Sequence, residues 1–76
     1  MRIRPHQNGK LIVVEIKSSL DRGATHQFSR KVVFSTRQTG MQVDRKLIVA
    51  PHAEERAREL AVHLGIEVRT DVMAVR

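Results

Sequence analysis

The chain has 76 residues, with 14 Lys+Arg against 8 Asp+Glu, a formal net charge of +6, two Phe, and no Cys, Trp or Tyr. The absent cysteines exclude disulfides, thiol nucleophiles and thiolate metal sites, and no apolar run approaches the ~20 residues that span a bilayer. The length predicts one domain over 1–76 with an aliphatic core; a core this small buries only about 60% of the unfolded surface, so a second copy of the chain is an expected partner.

The positive charge predicts attraction to polyanions, nucleic acid first among them. The opening "MRIRPHQNGK" carries charge but no apolar segment of the secretory kind. The expectation is a soluble, cytoplasmic protein with no membrane partner.

In chain order, "MRIRPH" and "KLIVVEIK" flank Asn8-Gly9, a favoured pair for a tight hairpin. Residues 2–6 and 10–17 are therefore predicted as two antiparallel strands, and Pro5 confines the first to an edge. Ser18 to Gly23 reads as a turn, followed by a helix over roughly 24–39 capped by Asp21 or Thr25. Ala24, Phe28 and Val32 recur at i, i+4, i+8 and predict its core face. Gly40 stands where a left-handed C′ residue is expected. "DRKLIVA", 44–50, is a strand whose continuous apolar centre suits a parallel sheet.

Pro51 suits a first helical position. "HAEERARELAVHL", 52–64, then aligns Ala53, Ala57, Leu60, Ala61 and Leu64, and Gly65 ends that helix. "IEVRT", 66–70, alternates as a third strand, and the tail "DVMAVR" reads as neither helix nor strand. The predicted fold is α/β: a β-hairpin followed by α-β-α-β, with right-handed crossovers.

Leu11, Val13, Glu15 and Lys17 share one side of the second strand. The first two are apolar and the last two charged, so this side leaves the core at the strand's carboxyl end, where open α/β sheets bind ligands. A carboxylate there can hold a divalent cation, and a neighbouring amine can orient a phosphate or an attacking water. By itself, Glu-x-Lys at a strand end is most often a solvated terminus; its place between a hairpin and a crossover helix is the stronger signal.

"NGKLIVVEIKSS", a helix, and then "DRKLIVAPHAEERARELAVHLGIEV" resemble the PD-(D/E)XK superfamily of restriction-endonuclease-like nucleases, most of all an archaeal and bacterial group of small nuclease-like proteins. The resemblance spans roughly residues 8 to 70. It implies that Glu15 is an acidic metal ligand for Mg2+ or Mn2+, that Lys17 positions the nucleophilic water or the phosphate, and that Gln27 matches a polar residue in the following helix. It also implies DNA as the partner. The superfamily pattern needs an Asp in the strand before the hairpin turn, where this chain has Ile3 or Arg4, and no acidic residue precedes Glu15. One carboxylate binds Mg2+ weakly. The expectation is the C-terminal part of such a fold, with an incomplete phosphodiesterase site.

Arg22, His26, Arg30 and Arg37 fall on one stripe of the first helix, a candidate ridge for phosphates or an ordinary solvated face. No aromatic residue is interleaved with the basic ones, which argues against a stacking platform for single strands. His6, His26, His52 and His63 lack zinc-site spacing, and the serines lack an elbow and a base. The alternatives are a non-catalytic self-associating module and a small basic RNA-binding α/β domain.

Overall fold

The computed structural model describes residues 2–6 and 10–71. The Asn8-Gly9 turn and the tail from residue 72 lie outside the described residues. The order is β1 (Arg2–His6), β2 (Lys10–Ile16), β3 (Ser19–Leu20), α1 (Arg22–Thr39), β4 (Val43–Val49), β5 (His52–Ala53), α2 (Glu55–Leu64) and β6 (Glu67–Arg69).

β1, β2, β4 and β6 form one sheet in that order. β1 is an antiparallel edge, with Ile3 opposite Val13 and Pro5 opposite Leu11, as a proline without an N–H requires. β2, β4 and β6 run parallel. Both parallel steps move the same way across the sheet. Two right-handed crossovers in one direction place their helices on one face, and residues of α1 and α2 do share a single core cluster.

That cluster joins Val13 and Ile48 from the sheet, Leu20, Phe28 and Val32 around α1, and Ala57, Ala61 and Ile66 around α2. Burying a Phe, Leu or Ile side chain stabilises by roughly 1.5–3 kcal/mol, so Phe28, Leu20 and Ile48, the largest fully buried side chains, contribute most. On the opposite face, which no helix among the described residues covers, Ile12 and Val14 are half-buried and Ile16 is 60% exposed.

The hairpin strands, the Phe28–Val32 core face and the three parallel strands stand as expected. Gly40 and Gly65 end the two helices with φ of 68° and 69°, a conformation that costs an L side chain about 1–2 kcal/mol. Asp21 rather than Thr25 is the N-cap of α1, its carboxylate accepting from the Ala24 N–H at 2.7 Å. The Thr25 hydroxyl donates instead to the Asp21 carbonyl at 2.8 Å.

Two boundaries need correction. The segment read as a turn contains β3, and the helix expected from Pro51 begins only at Glu55. Both have one cause. Ser19 pairs with His52 and Leu20 with Ala53 in a parallel two-stranded sheet, and the Glu54 N–H donates to the Leu20 carbonyl at 3.0 Å. His52 and Ala53 thus have their backbone groups committed to strand pairing, and no helical turn can form there.

At the other end of α2, Lys46 reaches across from β4. Its Nζ donates to the Leu64 carbonyl at 2.7 Å, a favourable cation at a helix C-terminus. No helix among the described residues is long and apolar enough to cross a membrane.

Candidate active-site rim and basic ridge

Alternation along β2 carries Leu11, Val13 and Glu15 to the helix-side face, all buried. Glu15 is opposite Ile48 of β4 and is only 7% exposed. A carboxylate is rarely this buried unless paired. Lys31 of α1 supplies a partner, its Nζ lying 3.3 Å from Glu15 Oε1.

Lys17 follows the strand end and is half-buried. Its N–H donates to the Val49 carbonyl at 2.9 Å, so pairing with β4 runs to the carboxyl end of β2, where strand alternation puts positions 15 and 17 on one side. The β3–β5 pair, with Asp21, Pro51, Glu54 and Arg58, lines an open groove of about 410 Å³ that takes in neither Glu15 nor Lys17.

Gln27 is exposed on α1, one turn before Lys31. Positions 27 and 31 lie about 40° apart around a helix, so Gln27 shares the flank from which Lys31 reaches Glu15. Lys31 is the participant that the sequence reading missed. Its place beside the apolar stripe, three residues after Phe28, was the available signal: a long cation there can cover the core and end on a carboxylate.

The chemistry of this donor set does not suit a resident magnesium ion. Mg2+ takes oxygen ligands in near-octahedral geometry, usually including one or two carboxylates. Glu15 is a single carboxylate with an ammonium already on Oε1, and Asp21 is engaged in capping α1. No group of three His, Cys, Asp or Glu close enough to hold a metal occurs among the described residues.

Arg22, His26, Arg30 and Arg37 are all exposed on α1, on the side away from Phe28 and Val32. The stripe opens into two grooves. Arg22 lines one of about 270 Å³ between the helices, with Arg56, Glu59, Leu60 and His63. Arg30 and Arg37 line another of about 310 Å³, with Ser29, Val33 and Phe34.

The expectation of no interleaved aromatic fails at Phe34, which is 62% exposed. Phe34 is i+4 from the first and i−3 from the second, which makes it a surface neighbour of both.

Arg45 and Glu67 form a bidentate pair on the sheet, Nε to Oε2 and Nη2 to Oε1, both at 2.9 Å. Hydrogen bonding to Arg45 holds the Glu67 carboxyl below its ordinary pKa and raises that of Arg45. The pair is exposed and distant in sequence from Glu15, and it has no evident part in the rim.

A family model for the PD-(D/E)XK nuclease superfamily matches residues 6–67. No curated protein and no solved structure gives a significant match.

Proposed function

The chain belongs to the PD-(D/E)XK nuclease superfamily, and on that premise we propose that it is a nucleic-acid-binding protein, with DNA as its expected polymer and an incomplete phosphodiesterase site at Glu15 and Lys17. What supports this reading is the position of that pair at the carboxyl end of β2, followed by a helix on which Arg22, His26, Arg30 and Arg37 are all exposed.

In this reading the ridge contacts backbone phosphates, which needs charge and spacing but no metal. The Lys17 amine holds a phosphate oxygen in this reading, and Gln27 donates a hydrogen bond to the same strand. Superfamily nucleases typically use divalent metals. The described donor set does not suit one, so no hydrolytic step is assigned to this chain by itself. Action in the cytoplasm, where nucleic acid is met, belongs to the same reading.

The test is binding of a labelled DNA oligonucleotide across a salt series. The logarithm of affinity is expected to fall linearly with the logarithm of salt concentration, and Arg30→Glu with Arg37→Glu to weaken binding by roughly 100-fold or more. Salt-independent binding would overturn the ridge. The site is tested separately by incubation with Mg2+ or Mn2+. No cleavage is expected; cleavage that vanishes in both Glu15→Ala and Lys17→Ala would show the site to be complete.

Self-association is a second element of the proposal. It is favoured by the sheet face that no helix among the described residues covers, where Ile16 is 60% exposed and stands two and four residues beyond half-buried Val14 and Ile12. Sedimentation of the wild-type chain and of Ile16→Lys tests it: the variant is expected to be the smaller species.

A further inference from the structure

We infer that Phe34, with Arg30 and Arg37 on either side of it, is a stacking point for an unpaired base, which makes single-stranded nucleic acid the preferred form of the polymer. The inference rests on the nucleic-acid reading above and specifies it.

The chain contains two Phe, and α1 treats them in opposite ways. Phe28 is fully buried, whereas Phe34 is 62% exposed and its neighbour Val33 is 48% exposed. An exposed phenyl forgoes the stabilisation that burial gives. This one lies in a shallow groove whose other lining residues are Ser29, Val33 and two arginines.

A base has a π-face that stacks on a phenyl ring regardless of sequence, and guanidinium groups hold the phosphates on either side of it. Arg30 and Arg37 are separated by about 10 Å of helix rise. Successive phosphates of a stacked strand, at about 3.4 Å each, cover that distance in roughly three steps. A duplex would present only its backbone to the ridge and leave the phenyl without a partner.

Charge argues against a second copy of the chain as the occupant. A two-fold contact over this groove would set the arginine stripe of one chain against the same stripe of the other, and like charges repel.

The position on the helix connects the groove to the rim. Gln27, Lys31 and Phe34 follow one another at i, i+4 and i+7 along one flank of α1, and Lys31 is the residue paired with Glu15. A strand held at Phe34 therefore lies one helical turn from the Glu15–Lys31 pair.

The chain has no Trp, so Phe34→Trp provides a single fluorescent reporter at the site. Its emission is expected to be quenched by a single-stranded thymidine oligonucleotide, and much less by a duplex of equal length. In anisotropy titrations, Phe34→Leu keeps the apolar volume but removes the ring. It is expected to weaken single-strand binding roughly 5- to 100-fold, to leave the salt slope unchanged, and to alter duplex affinity less than twofold.

Equal losses for both forms, or no loss for either, would overturn the stacking point. So would a shift in sedimentation of Phe34→Leu, which would assign the groove to self-association. Failure of the wild-type chain to bind either polymer would overturn the nucleic-acid reading itself. Circular dichroism of both variants checks that an exposed position has left the fold intact.

Discussion

The two crossover helices lie on the same face of the same sheet, yet they are built on different principles. α1 runs 18 residues and buries Thr25, Phe28 and Val32; α2 runs 10 and buries only Ala57 and Ala61. α1 fills space, while α2 lets backbones approach closely through small side chains. α1 begins with a side-chain cap at Asp21, whereas Glu54 at the start of α2 makes no such bond. The outer face of α1 carries the arginine stripe and Phe34, which leaves α2 mainly the task of closing the core.

Volume changes give the sharpest test of that contrast. Phe28→Ala is expected to cost about 3–5 kcal/mol, a large share of the roughly 5–15 kcal/mol that stabilises an ordinary domain. Ala57→Leu, the opposite change, is expected to cost about 1–3 kcal/mol by overpacking. Urea denaturation monitored by circular dichroism measures both; an unchanged midpoint for Ala57→Leu would remove the close-approach account of α2.

The helix ends follow. Gly40→Ala and Gly65→Ala are each expected to cost about 1–2 kcal/mol, because both glycines have positive φ. A Cβ on Gly65 would meet Lys46 Nζ only at 3.5 Å, an ordinary contact, and one on Gly40 meets nothing within 4 Å, so a clearly larger loss at either would contradict backbone strain as the cause. At the other ends, Asp21→Ala is expected to lose about 1 kcal/mol and Glu54→Ala much less. Equal thermal shifts for the two would contradict the difference in capping.

The smallest effect belongs to neither helix. Glu67 has its folded pKa lowered by Arg45, so its contribution is present above the unfolded value and is lost as the pH falls through the folded one. Solvent screening keeps such an exposed pair weak. Glu67→Gln is expected to lower the urea midpoint slightly at neutral pH, and the difference from wild type to shrink as the medium is acidified.

The sequence made the parallel strands and the core face of α1 legible because each rests on a local period: apolar residues at every position in "LIVA", and at i, i+4, i+8 in Ala24, Phe28 and Val32. The Glu15–Lys17 side was readable for the same reason, since strand alternation is a two-residue rule. The start of α2 was not. His52 and Ala53 suit a helix by composition, and only Leu20, more than thirty residues earlier, draws them into a strand. Lys31 was hidden likewise, because its partner Glu15 stands 16 residues away. Phe34 needs no long-range information, since it lies i+4 from Arg30 and i−3 from Arg37, but whether a phenyl at that spacing is buried or exposed depends on tertiary packing.

The β3–β5 ladder has a consequence for motion. Each of these strands is two residues long, and they form a two-stranded sheet with each other. A pair so short persists only while both members are in place, so the links leading into α1 and α2 open and close as one cooperative segment. Amide protons on both links should then exchange with deuterated solvent in step, and anything that grips one link would quieten the other.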